Sequence, residues 1–264
     1  MEVFRLKSLS QEERLVHILS YLNQHHRVTL QTICELYDVS RDTARRDVVK
    51  LAETTQVVRT RGGLMLPSLS KEVYGYKERL NRESLGKLEI GRAAASLVSD
   101  GEFIILDAST TVQFVAECLT ARNVTVVTNA IDAASILSEK ENVTVHVLGG
   151  VLNGAHRFLH GASTLEKLSE YHVDKLFLGA CGITGDGLSY PHEEDGVVKR
   201  EMIRHADQVI VLADHTKFGK RLFHKISDLV AIDILVTDQE PGVELQRALD
   251  ESEVHVIVVK EDRS

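Results

Sequence analysis

The chain has 264 residues, of which 43% are hydrophobic and 27% charged, and this composition excludes a globally disordered protein because it supplies enough apolar side chains for a sizeable core. No apolar run approaches the roughly 20 residues that span a bilayer, and the N-terminal segment lacks the apolar stretch of a signal peptide, so we expect a cytoplasmic protein. The three cysteines are widely spaced and offer no disulfide framework.

The net charge of −8 is unevenly distributed along the chain. Residues 1–80 contain 13 basic and 10 acidic side chains, a net charge of +3, whereas residues 81–264 have a net charge of −11. An asymmetry of this sign is expected if only the N-terminal part meets the phosphate backbone of a nucleic acid.

Three helices are predicted at the N-terminal end. Apolar residues at helical spacing predict the first helix over 11–23. Thr29 is placed to cap a second, shorter helix. Ser40 is placed to cap a third, in which Val48 and Leu51 face inward and leave a polar side for a partner.

A β-hairpin is predicted after the third helix. The runs 57–61 and 64–66 flank Gly62-Gly63, a pair typical of a two-residue turn that uses positive φ angles. Three helices followed by a hairpin predict a winged helix-turn-helix domain over residues 8–67.

A larger α/β domain is predicted after a charged linker at residues 68–89. Over residues 90–264, β-rich apolar runs alternate with helical stretches, which predicts a mostly parallel sheet flanked by helices and covered on both faces. The seven candidate strands are FIIL at 103–106, VTVVT at 124–128, VTVHVL at 143–148, KLFLGA at 175–180, VIVLA at 209–213, ILVT at 234–237 and VHVIVV at 254–259.

A set of polar and basic residues on the third helix and the wing is suited to DNA. A helix fits the major groove, where arginine pairs with guanine, and arginines alternating on the first wing strand would point the same way towards the backbone. The alternative is a solvated basic face. The candidate DNA contacts are Ser40, Arg41, Thr43, Arg45, Arg46, Arg59 and Arg61.

A second set of candidate ligand contacts follows the predicted parallel strands. Ligands of open α/β sheets bind outside the carboxyl ends of the strands, and a helix N-terminus there favours phosphate. The alternatives are that the hydroxyls at 109–111 only cap a helix, that Lys217 is a solvated loop charge, and that Gly149-Gly150 only turns the chain. The candidate effector contacts are Asp107, Ser109, Thr110, Thr111, Asn129, Gly149, Gly150, Lys199, Asp214 and Lys217.

Cofactor motifs are not recognised in the sequence. His156 and His160 stand four residues apart, but they form no H-E-x-x-H pattern and have no evident third ligand. The glycines at 179–187 lack the G-x-G-x-x-G spacing of a dinucleotide site. We therefore expect neither a metal nor another cofactor.

Several segments together carry a resemblance to the DeoR family of bacterial transcriptional regulators. The N-terminal pattern LQTICELYDVSRDTARRDVVKL followed by VVRTRGGLML is similar to the start of that family, and the likeness continues through most of the chain. Two departures from the family pattern are Ser109 and His215-Thr216. The later matching segments are DASTT at 107–111, VVTNA at 126–130, LGG at 148–150, LFLGACGI at 176–183 and LADHTKFGK at 212–220.

The resemblance implies a repressor of a carbohydrate-metabolism operon. Such a protein binds a double-stranded DNA operator as a homodimer or homotetramer and is modulated by a phosphorylated sugar, without contact with a membrane. The alternative is an enzyme, because residues 199–217 also resemble part of ribose-5-phosphate isomerase. Isomerisation requires a positioned carboxylate base. Because Lys199 stands where the resemblance implies the isomerase's catalytic glutamate, we expect no catalysis. The roles of Glu193 and Lys199 are open.

Overall fold

Two compact units make up the chain, Met1–Glu72 and Val73–Ser264. The computed structural model describes residues 9–25, 27–54, 57–65, 75–81 and 84–259.

The first unit contains three helices and a three-stranded antiparallel sheet in which β3 lies between β1 and β2. The predicted helices and hairpin are confirmed, and β1 is an element that the sequence pattern did not predict. The elements are α1 (Gln11–His25), β1 (Arg27–Thr29), α2 (Leu30–Tyr37), α3 (Arg41–Thr54), β2 (Val58–Thr60) and β3 (Gly63–Met65).

Side-chain caps fix the starts of α2 and α3. The Thr29 hydroxyl accepts a hydrogen bond from the Thr32 N–H at 3.0 Å, and the Ser40 hydroxyl accepts one from the Thr43 N–H at 3.2 Å. Each bond satisfies a backbone donor that the helix itself leaves unpaired. Asp38, at φ 50°, ends α2 in the left-handed region. The two helices are therefore held apart by a short turn, as predicted.

The wing hairpin differs from its predicted turn by one residue. Thr60 pairs with Gly63, so Arg61-Gly62 forms the turn and Gly63 belongs to β3. Neither Gly62 nor Gly63 adopts the positive φ angle that such a pair tolerates. Glycine is required at Gly63 for another reason: a Cβ there would lie 2.0 Å from the carbonyl oxygen of Val28 on the neighbouring strand.

A buried ion pair joins α1 to α3. The Arg14 Nε donates to Asp47 Oδ2 at 2.6 Å, and Arg14 Nη2 donates to Asp47 Oδ1 at 3.2 Å. Gln11 Nε2 donates to the same carboxylate at 3.1 Å. The side chain of Asp47 is 0% exposed and that of Arg14 is 9% exposed. Because a buried charge is costly without its partner, this pair constrains the packing of α3 on α1.

The second unit contains a seven-stranded parallel sheet in the order β15-β14-β12-β9-β4-β5-β6. All seven predicted strands are confirmed, and apolar clusters pack on both faces of the sheet. The elements are α4 (Tyr76–Asn81), α5 (Ser84–Ala95), β4 (Phe103–Leu106), α6 (Thr110–Cys118), β5 (Val124–Thr128), α7 (Ile131–Leu137), β6 (Val143–Val147), β7 (Val151–Asn153), β8 (Phe158–His160), α8 (Ala162–Leu168), β9 (Val173–Gly179), β10 (Gly182–Thr184), β11 (Gly187–Tyr190), α9 (Glu193–Arg204), β12 (Ala206–Leu212), β13 (His224–Ser227), β14 (Ile234–Thr237), α10 (Val243–Glu251) and β15 (His255–Val258).

The edges of this sheet differ from the expectation that every strand is covered on both faces. The described side chains of β6 and β15 are half-buried or exposed, because each of these strands has a neighbour on one side only. Two small antiparallel sheets, β10-β11-β13 and β7-β8, also lie outside the predicted pattern. Their strands have three or four residues, too few for a clear alternation of apolar and polar positions.

The predicted linker at 68–89 lies partly outside the described residues, and its described remainder is helical. Helix α4 and the start of α5 occupy this remainder and belong to the second unit. Tyr76 and Lys87 are both 3% exposed, so the segment is packed despite its many charged residues.

We predict that Asp47→Ala lowers the free energy of unfolding of the first unit by about 3–5 kcal/mol, because it leaves the Arg14 guanidinium buried without its carboxylate. Glu53→Ala, which removes an exposed carboxylate from the same helix, is the matched control. Hydrogen exchange of the α1 and α3 amides in the full chain measures the loss. Equal protection in the two variants would contradict a stabilising role for the pair.

Candidate functional site

A basic groove lies on the first unit between α3, α1 and the wing. It has a volume of 480 Å³ and brings together Arg45 and Arg46 of α3 with Arg59 of β2. All three arginines are exposed, whereas Val48 and Leu51 of the same helix are buried. The complete lining is Gln11, Arg45, Arg46, Val49, Lys50, Glu53 and Arg59. This face therefore combines the exposed side of α3 with guanidinium groups suited to phosphates or base edges.

The other candidate DNA contacts lie outside this groove. Ser40 and Arg41 are exposed at the start of α3, and the Ser40 hydroxyl lies 2.9 Å from that of Thr43 as part of the cap. Arg61 is exposed in the wing turn. The prediction that Arg59 and Arg61 alternate along one strand is wrong, because β2 ends at Thr60.

A polar edge is formed in the second unit where the parallel strands end. Asp107 follows β4, Asn129 follows β5, and Asp214 follows β12. These three side chains are at most 1% exposed. Since all strands run in the same direction, their carboxyl ends share one edge of the sheet. The structure thus brings the predicted strand-end residues to one side of the sheet.

A buried ion pair lies at the centre of this edge. Lys199 of α9 donates to Asp107 Oδ2, which also accepts the Gly179 N–H at 3.1 Å. Asp195 Oδ1 lies 3.6 Å from the Lys199 ammonium, and the ring centroid of Tyr190 lies 5.0 Å from it. Burial opposes the charge of Lys199, but the two carboxylates more than offset this effect and raise its pKa. Lys199 is therefore a fixed cation.

A second cation lies two strands away along the sheet. The Lys217 ammonium is 3.1 Å from Asp214 Oδ2 and donates to the Thr216 hydroxyl at 2.8 Å. Burial alone would raise the pKa of Asp214, but Lys217 and the hydrogen bonds from Thr216 and Lys217 lower it. The carboxylate is therefore ionised, and the side chain of Lys217 remains 27% exposed.

The hydroxyl segment at 109–111 starts α6, as predicted. The Ser109 hydroxyl accepts the Thr111 N–H at 3.2 Å and so caps the helix, while Thr110 and Thr111 are 3% and 4% exposed. A Cβ at Gly179 would lie 1.9 Å from Ser109 Oγ, so glycine permits this close approach. The capping alternative holds for Ser109, and phosphate binding by the segment stays a prediction.

The other predicted contacts follow β5 and β6. Asn129 Nδ2 donates to the Leu159 carbonyl at 3.1 Å. Gly149 accepts a bond from the Thr164 hydroxyl at 2.5 Å and is exposed, as is Gly150. Gly150 has φ 132°, and a Cβ there would lie 2.4 Å from the carbonyl oxygen of His160. Gly150 is therefore required by the turn after β6, whereas a side chain at Gly149 would meet no neighbour within 4 Å, and effector contact by the two glycines stays a prediction.

Several polar atoms at this edge lack hydrogen-bond partners among the described residues. The Nε of Arg79 on α4 is one such atom, a buried donor. The buried acceptors that likewise lack a hydrogen bond are Asp107 Oδ1, Asn129 Oδ1, Asp195 Oδ1 and Asp214 Oδ2. The last two are ion-paired without an aligned hydrogen bond. Since buried polar groups are normally satisfied, these atoms are candidate contacts for a polar ligand.

The sequence pattern did not predict four further residues of this edge. Asp195 stands one helical turn before Lys199, a spacing that could have indicated the pair. Arg79 and Lys87 fell within the predicted linker, and Lys87 donates to the Arg79 carbonyl at 2.5 Å. Tyr190 is buried and donates to the Gly179 carbonyl. By contrast, Glu193 is exposed in the first turn of α9, where an acid stabilises a helix start.

The described residues contain no group of three or more His, Cys, Asp or Glu side chains placed to hold a metal ion. His156 lies beside His192, with ring centroids 4.8 Å apart, while His160 belongs to β8. Burial and the neighbouring Arg79 lower the pKa of His156. Within the part of the chain that the structure describes, no helix is long and apolar enough to cross a membrane.

Solved structures provide distant matches. Ribose 5-phosphate isomerase A from Methanocaldococcus jannaschii is 23% identical over 54% of this chain and 57% of that chain, with a TM-score of 0.38. The tetrameric eIF2B-beta2-delta2 complex from C. thermophilum is 12% identical over 92% of this chain and 95% of that chain, with a TM-score of 0.44. At these TM-scores the matches support no conclusion about activity.

Curated relatives match almost the whole chain. The HTH-type transcriptional repressor GlcR of Bacillus subtilis (strain 168) is 51% identical over 96% of this chain and 98% of its own length. The glycerol-3-phosphate regulon repressor of Escherichia coli (strain K12) is 29% identical over 94% of this chain and 99% of its own length. The putative aga operon transcriptional repressor of Escherichia coli O157:H7 is 31% identical over 94% of each chain.

Two protein-family models match the two units. The DeoR-like helix-turn-helix domain matches residues 14–69, and the DeoR C terminal sensor domain matches residues 82–239. The chain therefore belongs to the DeoR family of helix-turn-helix regulators.

Proposed function

We propose that this chain represses a carbohydrate-metabolism operon and that a phosphorylated sugar modulates its binding to the operator. In this proposal residues 8–67 bind double-stranded DNA and residues 90–264 bind the effector. The names of its relatives support repression, and one of them is named for a glycerol-3-phosphate regulon.

The basic groove carries the DNA part of the proposal. It combines the exposed arginines of α3 with Arg59 of the wing, in a unit whose sequence is basic within an acidic chain. A helix N-terminus in the major groove reads base edges, while cations beside it hold phosphates. The remaining candidates Ser40, Arg41, Thr43 and Arg61 extend the same contact surface.

The polar edge of the sheet supports the effector part of the proposal. Asp107 Oδ1 and Asn129 Oδ1, which have no partner among the described residues, suit the hydroxyl groups of a sugar, and leaving such acceptors without donors costs about 1–3 kcal/mol each. Lys217 and the unpartnered Nε of Arg79 supply positive charge for a phosphate. The start of α6, which follows β4, adds a helix N-terminus at the same edge of the sheet.

Binding without catalysis is favoured by the pairing of the carboxylates. An aldose–ketose isomerase needs a free carboxylate base. At this edge Asp107 is held by Lys199, and Asp214 is held by Lys217 and Thr216. These carboxylates are therefore suited to accept bonds from sugar hydroxyls rather than to remove a proton from carbon.

A homodimer or homotetramer is part of the proposal. A helix-turn-helix domain reads one half-site, and two copies read half-sites that lie one helical turn or a multiple apart. The effector can change operator affinity only if it binds differently to two arrangements of these copies, with a coupling of typically about 1–3 kcal/mol.

We predict that Arg45→Ala weakens operator binding by about 1–3 kcal/mol because it removes a base contact. The measurement is titration, at one fixed salt concentration, of a DNA fragment that the wild type has selected from random sequence. Arg247→Ala, which removes an arginine that is 80% exposed on the second unit, is the control. Unchanged DNA affinity in Arg45→Ala would exclude this arginine from the interface.

We also predict that Lys217→Ala binds the same DNA fragment normally but needs about ten- to hundredfold more sugar phosphate for release, because a charged hydrogen bond is lost. Lys167→Ala, at an exposed lysine paired with Glu170, should respond like the wild type. The measurement is DNA release across a panel of sugar phosphates. A wild-type response in Lys217→Ala would rule out the phosphate contact.

A further inference from the structure

A histidine–aspartate pair lies at the polar edge next to the cations. His215 follows β12 and Asp238 follows β14, the neighbouring strand in the sheet. The His215 backbone N–H donates to Asp238 Oδ1 at 2.6 Å, and its ring Nδ1 lies 2.7 Å from Asp238 Oδ2. Two bonds to one carboxylate fix both the backbone and the ring of His215.

The pair also fixes which ring nitrogen carries the proton. An ionised carboxylate only accepts hydrogen bonds, so Nδ1–H is the donor to Asp238. In the neutral ring the other nitrogen, Nε2, is then an acceptor. Nε2 has no hydrogen bond to any residue that the structure describes, and the side chain of His215 is 36% exposed. The ring therefore presents an oriented acceptor to an incoming molecule.

His215 Nε2 belongs to the same edge of the sheet as the predicted effector contacts. His215 lies between Asp214 and Lys217 in the sequence. Asp238 Oδ2 would lie 3.5 Å from a Cβ at Gly86, the residue before the buried Lys87 on α5. Strands β4, β9, β12 and β14 are consecutive in the sheet. With neighbouring strands about 4.8 Å apart, Asp107 and Asp238 are separated by about 14 Å along the edge.

We propose that His215 reads a hydroxyl group of the effector through Nε2 and that Asp238 is the residue that positions it. The pair then sets the preference for a polyhydroxylated phosphate over inorganic phosphate, since the latter has no carbon chain to extend along the edge. This inference rests on the proposed function, in which the same edge binds the phosphorylated sugar.

A purely structural role for the pair is the alternative, in which it only ties the β12 and β14 loops together. Substitution of His215 by asparagine or by glutamine distinguishes the structural role from a ligand contact. The asparagine amide can replace Nδ1 as the donor to Asp238 but has nothing at the position of Nε2, whereas glutamine reaches the Nε2 position. His215→Asn therefore preserves the link between the β12 and β14 loops. It removes the hydrogen bond that Nε2 would accept from the ligand.

The chain offers a matched control for this substitution. His172 Nε2 lies 2.8 Å from Asp207 Oδ1, so these residues form a second histidine–aspartate pair. His172 precedes β9 and Asp207 is the second residue of β12, so the pair lies at the amino edge of the same sheet, opposite the effector contacts. His172→Asn is therefore the same chemical change away from the proposed site.

Calorimetric titration of the full chain tests the inference. The probes are inorganic phosphate, glycerol 3-phosphate, ribose 5-phosphate, glucose 6-phosphate and fructose 6-phosphate. For an organic phosphate that the wild type prefers to inorganic phosphate, we expect His215→Asn to weaken binding about tenfold, the effect of one hydrogen bond. Binding of inorganic phosphate should be unchanged, His172→Asn should match the wild type, and His215→Gln should retain more affinity than His215→Asn.

Two results would overturn the inference alone. One is an unchanged preference in His215→Asn, and the other is an equal loss of organic and inorganic phosphate binding, which would assign the residue to the phosphate contacts. If the wild type binds none of the organic phosphates, the proposed function fails and this inference fails with it.

Discussion

The second unit depends on one constraint. Its parallel sheet gathers the carboxyl ends of seven strands on a single edge, where buried charges must be paired. The Lys199–Asp107 pair meets this requirement and ties α9 to the end of β4. Because both side chains are almost fully buried, neither can be lost without leaving an uncompensated charge. In the proposed function, the acceptors around this pair that lack a hydrogen bond among the described residues receive the polar groups of the ligand.

The two units divide their tasks by charge. The first places exposed arginines on α3 and the wing, and the Arg14–Asp47 pair holds that helix in place. The second combines an acidic sequence with a few lysines held at the strand ends. An acidic second unit disfavours binding of DNA to the wrong surface, and in the proposed function its local cations bind a small anion. Regulation then requires only that the two ligands favour different arrangements of the protein.

The sequence predicted what depends on periodicity and missed what depends on long-range pairing. All seven strands and the helix starts at Thr29 and Ser40 follow from local patterns. The wing turn was wrong by one residue because the need for Gly63 comes from β1, a strand hidden from the pattern. The contact of α9 with the end of β4 places Lys199 beside Asp107, and no local spacing encodes that contact. The roles proposed for the site residues stay predictions.

The central claim is that DNA and the sugar phosphate bind the same protein with opposing effects. Thermodynamic linkage requires the coupling to be reciprocal. The most direct measurement is the dissociation constant of the effector in the absence and in the presence of saturating operator DNA, at one salt concentration. We predict that DNA weakens effector binding by the same factor by which the effector weakens DNA binding. An effector affinity that is unaffected by DNA would contradict the claim.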